Sequence, residues 1–478
     1  MLDSQTAQGS EMDRLLTGQR AAFLARPDVS AEERIDRLSR AVSLLVDKRA
    51  AFEEAISRDF GYRSADLSAF ADIGASVNAL RHARKHVKSW MRPERRHTEF
   101  PLNLTGARSF VQYQPKGVVG IMAPWNFPIS MVFSPLAGVF AAGNRALAKP
   151  SEFTPRTSDL MQDAVAKAFK PDEFAIITGE ADVGAAFSGL PFDHIIFTGS
   201  TAVGRHVMRA AADNLVPVTL ELGGKSPVVV APDADIKTAA TRILHGKIFN
   251  AGQICIAPDY VLLPKGKEDE FADAAANATR DMFPEGLGKS GHYTALLGER
   301  HHKRIIAMMG DADKKGAEVL PLGTASGGGT THQHMIAPTL ILGATSDMEV
   351  MQSEIFGPLL PIVNYDTLDG ALAYVNERDR PLALYFFGKN RAERKKVLAQ
   401  TTSGGVTIND TIMHIAQDDL PFGGVGSSGM GHYHGKDGFK TFSHQKGVFQ
   451  QSPFDVLKMV RPPYGKLFRA FVNSKIKK

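Results

Sequence analysis

The chain has 478 residues, with 56 Lys+Arg against 51 Asp+Glu and a single Cys. That length exceeds what one hydrophobic core supports, so two or more lobes are expected, and one cysteine excludes an internal disulfide framework and every Cys-cluster metal site. The net charge of +5 is local: seven basic residues and no acid fall in residues 458–478, which leaves 49 basic against 51 acidic residues in the body and no spread basic face for nucleic acid.

The N-terminus is polar and mildly acidic and lacks the basic and apolar regions of a secretory signal. The apolar stretches are shorter than the ~18–20 residues of a membrane span, so the cytoplasm is the expected compartment. Ser30 and Glu33 form an S-x-x-E capping box, and Ile35, Leu38, Val42, Leu45 and Val46 follow at helical spacing. Gly61 breaks this pattern. A second helical stretch carries Phe70, Ile73, Val77 and Leu80 towards Trp90.

From Gly117 short apolar runs alternate with amphipathic stretches. The runs begin at Val118, Ala146, Ala175, Ile195 and Val218, and this rhythm predicts βαβ units with a mostly parallel sheet. After Gly223-Gly224 the rhythm restarts, with strands expected at Val228, Tyr260, Leu359 and Ala383. The reading is a two-lobed α/β protein, with 326–329 as a flexible loop tip.

Chemistry gathers at the ends of these runs. Ile195-Ile196-Phe197 leads into Thr198-Gly199-Ser200-Thr201-Ala202-Val203-Gly204 and then a helix. Glycine at a helix N-terminus lets phosphate reach free N–H groups. A G-x-x-x-x-G turn is more often a plain tight strand-to-helix connection, and this one departs from the dinucleotide fingerprint. Cys255 lies in Asn250-Ala-Gly-Gln-Ile-Cys255. A lone Cys is usually a small buried hydrophobe. Here Glu221 ends a strand in an apolar flank that could raise its pKa to base range, and Asn126 follows another strand as an oxyanion donor could. Read singly, Glu221 is an ion-pair partner and Asn126 a turn residue.

Together these segments resemble the NAD(P)-dependent aldehyde dehydrogenases. Ala123-Pro-Trp-Asn-Phe-Pro128, Lys149-Pro-Ser-Glu152, Phe197-Thr-Gly-Ser-Thr201, Glu221-Leu-Gly-Gly-Lys-Ser-Pro227 and Gly252-Gln-Ile-Cys255 carry the likeness. So do Glu354-Ile-Phe-Gly-Pro358, Gly405-Val-Thr-Ile-Asn-Asp410 and Pro421-Phe-Gly-Gly-Val-Gly426, and the match runs over about residues 30–465. Ala257-Pro-Asp-Tyr260 and Ser428-Gly-Met-Gly431 resemble the class 3 branch. Leu190-Pro-Phe-Asp-His194 and Ala416-Gln-Asp-Asp-Leu420 are similar to its bacterial coniferyl aldehyde dehydrogenases. Ile254 departs from the family, where Thr or another small residue more often precedes the nucleophile.

The resemblance implies a Rossmann-like cofactor lobe (1–97 and 117–222), a catalytic lobe (223–427) and a β-hairpin oligomerisation arm (98–116 and 444–453) that pairs two subunits into a homodimer. It implies Cys255 as nucleophile, Glu221 as base and Asn126 as oxyanion donor, acting on a small aldehyde. Trp125, Lys149, Glu152, Gly199, Ser200, Gly204, Leu222, Glu354 and Phe356 take the cofactor positions. A carboxylate at Glu152 should repel a 2′-phosphate, so NAD is expected over NADP, with NADP tolerated as in class 3 relatives. A long-chain aliphatic aldehyde is the rival substrate, and an idle binding protein on the same fold the remote one.

Other motifs lead elsewhere. Gly224-Lys-Ser226 and Gly288-Lys-Ser290 lack the upstream glycine of a phosphate loop, and the twelfth position of a calcium loop from Asp311 is Leu322. His301-His302 and His332/His334 read as solvated surface, and His432 and His434 as turn residues, so no metal is expected. Leu467, Phe468, Phe471, Val472 and Ile476 lie at helical spacing beside basic residues in the tail (458–478). They suit a weak interfacial contact with membrane or packing on a partner subunit.

Overall fold

The computed structural model describes residues 2–100, 102–324, 333–455, 458 and 460–476. The loop tip expected at 326–329, together with His332, lies outside the described residues, as do tail positions 459, 477 and 478.

Helices open the chain. Ser30 caps the helix Ala31–Asp47 as expected: its Oγ accepts from the Glu33 N–H (3.2 Å) while Glu33 accepts from the Ser30 N–H (3.1 Å). Gly61, at φ +76°, ends the next helix, Arg49–Phe60. Ahead of them, Leu2–Ala25 is also helical, and its buried Gln19 donates to the Ala146 and Pro171 carbonyls (2.9 and 3.0 Å).

The strands follow in chain order. β1 (Glu94–Arg96) and β2 (Arg108–Pro115) precede β3 (Val118–Met122), β4 (Arg145–Lys149), β5 (Phe174–Ile176), β6 (His194–Gly199) and β7 (Val218–Leu222). Then come β8 (Pro227–Val230), β9 (Tyr260–Pro264), β10 (Glu318–Pro321), β11 (Thr339–Leu342), β12 (Leu359–Tyr365), β13 (Ala383–Phe387) and β14 (Gly405–Ile408). β15 (Gly429–Met430) and β16 (Ser443–Gln450) complete the set.

Three sheets result. One has the order β15-β7-β6-β3-β4-β5, parallel except for the short β15. The second runs β10-β11-β12-β9-β8-β13-β14, parallel except for β10. Central strands β3, β4, β8 and β13 are buried along their whole length, which is why they read as continuous apolar runs. The third sheet, β1-β2-β16, holds the segments expected as the arm, and Glu94–Arg96 adds a third strand to that hairpin.

One helical expectation shifts phase. Ser68–Gly74 is a π-helical segment leading into the helix Ala75–Trp90. Its wider turn carries Phe70 outward, so that this side chain is 71% exposed while Ile73, Val77 and Leu80 are buried.

Candidate active site

Strand polarity places the site. β3, β4, β6 and β7 are parallel neighbours, so residues at their C-terminal ends share one edge of the sheet. That edge carries Trp125 and Asn126 beyond β3, Lys149 ending β4, Gly199 ending β6 with Ser200 next, and Glu221 and Leu222 ending β7. The chain order reverses between β3 and β6, the crevice position that open α/β sheets use for ligands. Facing it are residues ahead of two strands of the second sheet: Cys255 before β9, and Glu354 and Phe356 before β12. Cys255, the expected nucleophile, and Glu354 and Phe356, expected at the cofactor, therefore sit at strand N-termini, opposite the C-terminal ends that the usual α/β pattern favours.

The approach to Cys255 is sharply bent. Asn250, Ala251 and Gly252 are all left-handed (φ +52°, +52° and +75°), a costly conformation for the first two that needs external support. Asn250 Nδ2 supplies it, donating to the carbonyls of Asn126 and Gln253 (both 3.1 Å). The buried Gln253 donates to the Asn250 and Ala295 carbonyls (3.0 and 3.1 Å) and accepts from the Leu297 N–H (2.9 Å). A Cβ at Gly252 would collide with the Gly357 carbonyl, so the cysteine loop and the 354–358 loop lie back to back. Ile254, the family departure, is buried beside the thiol.

Asn126 is buried, and its Nδ2 donates to the Gln253 carbonyl at 3.1 Å. An amide nitrogen has two hydrogens, so one N–H remains for a ligand oxygen. Glu221 is also buried, and neither carboxylate oxygen has a hydrogen-bond partner among the described residues. Burial holds its pKa well above the ordinary 4.5. Glu354 is pushed up to about 8 by burial and by Asp259, against the Gly224 N–H, which favours its ionised form. The Cys255 thiol is pushed up to about 12 by burial, then by the charges of Glu354 and Glu221. The resting thiol is protonated, and a base must take its proton before it attacks.

The expected cofactor positions form a second cluster. Ser200 caps the helix Thr201–Ala212, its Oγ accepting from the Val203 N–H (3.4 Å). A Cβ at Gly204 would stand 2.6 Å from Leu222, so glycine lets that helix approach β7. Lys149 pairs with Glu152 (3.2 Å), the carboxylate remaining part-exposed at the edge. Trp125 meets Phe356 edge-on at 5.3 Å, and Phe356 holds a left-handed φ of +46°. A helix N-terminus, a Lys–Glu pair at the sheet edge and the Trp125–Phe356 aromatic contact are groups that the parts of a dinucleotide could meet.

Several residues escaped the sequence reading. Arg304 donates to the carbonyls of Glu354 (3.2 Å), Ile355 and Phe356 (3.5 Å), and Asp259 accepts from the Ile355 N–H (3.0 Å). Lys225, the apparent phosphate-loop lysine, pairs with Asp259 and donates to the carbonyls of Val350 (2.6 Å) and Ser353 (3.1 Å). These three side chains fix the 354–358 loop. His301, expected in solvent, packs against Trp125 at 4.7 Å because the helix Gly298–Lys314 lies over the cleft. His302 and His334 meet at a tilt (5.4 Å, 49° between planes), and His434 stacks on Phe422 at 5.0 Å. No cluster of three metal-ligating side chains occurs among the described residues. Tyr433 is buried close enough to Glu221 and Cys255 that both charges raise its pKa further beyond the effect of burial. Phe70 is exposed and meets Phe249 edge-on (6.4 Å), and Phe249 stacks with the buried Phe127 (6.2 Å), a row of rings next in the chain to Asn126 and Asn250.

The chain and its fold have counterparts among known proteins. The Aldehyde dehydrogenase family model matches residues 1–448. Coniferyl aldehyde dehydrogenase from Pseudomonas sp. (strain HR199) is 49% identical over 467 residues, covering 97% of this chain and 95% of that protein. The substrate-bound structure of Staphylococcus aureus AldH matches with a TM-score of 0.90 and 36% identity, over 97% of this chain and 99% of that one. A NAD-dependent aldehyde dehydrogenase from Sinorhizobium meliloti matches with a TM-score of 0.82 and 27% identity, over 94% and 88%. The chain belongs to the aldehyde dehydrogenase family. It is an enzyme that oxidises aldehydes.

Proposed function

We propose that the enzyme oxidises an aromatic, phenylpropanoid-type aldehyde such as coniferyl aldehyde to its carboxylic acid, with NAD as acceptor. The observation that supports this chemistry is that Glu221 and Asn126 are buried, that the Asn126 amide reaches the Gln253 carbonyl two residues from Cys255, and that Glu221 lies close enough to Cys255 for its charge to raise the thiol. The aromatic row of Phe70, Phe127 and Phe249 suits a planar ring, as does the name of the Pseudomonas relative.

Cys255 Sγ bonds the aldehyde carbon while its proton passes to Glu221. The oxyanion that forms takes hydrogen bonds from the free Asn126 Nδ2–H and the Cys255 N–H, a donor set whose single members are typically worth ~10²–10³ in rate. NAD, when bound, supplies the acceptor for the hydride that leaves this carbon. Glu221, after giving the thiol proton up to solvent, takes a proton from water, whose oxygen displaces the Cys255 sulfur as thiolate and releases the acid. Lys149 and Glu152 would hold the adenosine ribose, Glu152 disfavouring a 2′-phosphate. Ser200 and the helix N-terminus would face the pyrophosphate, with Gly199 and Gly204 admitting it. Trp125, Leu222, Glu354 and Phe356 would wall the nicotinamide end.

A homodimer follows from the arm, because β16 leaves an unpaired edge that a second copy can cover. Among the described residues no helix is long and apolar enough to cross a membrane. The helix Lys466–Ile476, with Leu467 exposed, leaves room for weak peripheral contact, and loss of vesicle co-sedimentation on deleting 459–478 would test it. A thiol nucleophile suits a reducing compartment, the cytoplasm.

The deciding experiment is a panel of cinnamyl, benzyl and C4–C16 aliphatic aldehydes followed by NADH formation. The cinnamyl members should give the highest kcat/KM. A preference for long aliphatic chains would replace this substrate class.

A further inference from the structure

We propose that Arg63 and Asp72, a buried ion pair, are positioning residues that aim the Asn126 amide; this rests on the reading of Asn126 as the oxyanion donor. Both side chains are completely buried, and Arg63 Nη2 lies 2.6 Å from Asp72 Oδ2. A buried ion pair is rarely kept for stability alone, since a well-packed apolar pair of similar volume is often as stable or more so. Here the pair has a second set of contacts. Arg63 Nη1 donates to the Asn126 carbonyl at 2.8 Å, and the guanidinium is sandwiched by the rings of Phe60 and Phe127 (5.2 and 4.8 Å to the centroids). Asp72 Oδ1 accepts from the N–H groups of Ile129 and Ser130 (both 3.1 Å). The pair therefore holds both ends of the segment 126–130.

The rest of the grip comes from the opposite wall. Asn250 Nδ2 shares the Asn126 carbonyl with Arg63, and the Gln253 carbonyl takes one hydrogen of the Asn126 amide. With the main chain fixed at one end and one amide hydrogen at the other, the amide plane and the direction of its second N–H are set. The π-helical segment Ser68–Gly74 supports this role, since such segments concentrate at functional sites and this one carries Asp72. The Arg63 Nε has no partner among the described residues, so the fork is satisfied only at the two nitrogens that hold Asp72 and Asn126.

The test measures the first-turnover rate of NADH formation in Asn126→Ala, Arg63→Lys and the charge-free double variant R63M/D72N, each checked for a cooperative melt. N126A should be slowed ~10²–10³-fold. R63M/D72N should be slowed about 100-fold, and R63K about 10-fold, because a donor displaced by about 1 Å loses that order of rate. The KM for NAD should stay unchanged throughout. On the N126A background the R63M/D72N effect should shrink to under about threefold, since both changes act through one donor. Full multiplication of the two effects, or a wild-type rate in folded R63M/D72N, would overturn the positioning role. If the double variant does not fold, a wild-type rate in R63K does the same. An unimpaired N126A would instead remove the oxyanion reading, and the positioning role with it.

Discussion

Replacing Glu221 by Gln should separate turnover from stability, in opposite directions. The carboxylate is buried, with both oxygens lacking a partner among the described residues, and burial holds its pKa well above 4.5. A carboxyl whose folded pKa is raised contributes stability that is fully present below its unfolded value and is lost as pH rises through the folded value. Each unit of the gap is worth about 1.4 kcal/mol. Gln has the same shape and cannot ionise, so E221Q should melt at or above the wild-type temperature, with a margin that widens as pH rises from the unfolded value of 4.5 towards the raised folded value. Turnover should fall instead. Loss of a general base typically costs 10²–10⁴ in rate, or about 2.7–5.5 kcal/mol of barrier. Rapid-mixing fluorescence should show the first NADH itself forming slowly, with no burst, because Cys255 loses the base that takes its proton as well as the one that activates water. Wild-type steady-state kcat would refute Glu221 as the base. A lower melting temperature at high pH would refute the geometry, because it would require a stabilising partner that this carboxylate lacks.

Four further outcomes follow. Cys255→Ala should abolish aldehyde oxidation while the fold is kept. In the wild-type free enzyme, iodoacetamide alkylation should accelerate about tenfold per unit between pH 7 and 9, since the thiol is held near 12; a pH-independent rate would mean the thiolate is already formed. Glu152→Thr should lower the KM for NADP by about tenfold and leave that for NAD nearly unchanged, because the part-exposed carboxylate at the cleft edge is what opposes a 2′-phosphate. Burial, the leading cause, holds His194 down to about 3 and His301, His414 and His434 to about 4. For such depressed groups stability is present above the unfolded value near 6.5 and is lost as pH falls below it, at about 1.4 kcal/mol per unit for each. Denaturant midpoints should drop steeply from pH 6.5 towards 4, and a flat profile there would contradict the buried neutral rings.

The strands and the chemistry were legible for different reasons. β3, β4, β8 and β13 announce themselves because burial on both faces forces continuous apolar runs, whereas β10 has two exposed ends among four residues and carries no such signal. Asn126, Glu221 and Cys255 stand in short segments whose residues are all needed locally, so each segment can be read alone. Their supports cannot. Arg304 acts on carbonyls about fifty positions further along, and Arg63 reaches across sixty-three residues to Asn126. A guanidinium that donates to main-chain carbonyls requires no particular residue at the far end, so neither position leaves a pattern. Phe70 was misplaced because helical periodicity has no term for one π turn, which moves every following side chain round the axis.

The opposition of the two sheets has a chemical consequence. Strand ends of one sheet bring Glu221, loops ahead of strands in the other bring Cys255 and Glu354, and all three acids meet in a volume that disfavours charge. Ionising any one makes the others harder to ionise, which is why Glu354 and Glu221 both raise the thiol. A thiolate produced by losing its proton to bulk water would add a charge to this volume. Passing the proton from Cys255 to an ionised Glu221 moves a charge without adding one, so local transfer is the less costly route. Arg304 and Lys225 both favour the ionised form of Glu354, on the side of the 354–358 loop held by Asp259. Their positive charge is placed to hold the loop, and under the proposed mechanism Cys255 depends on Glu221 to take its proton.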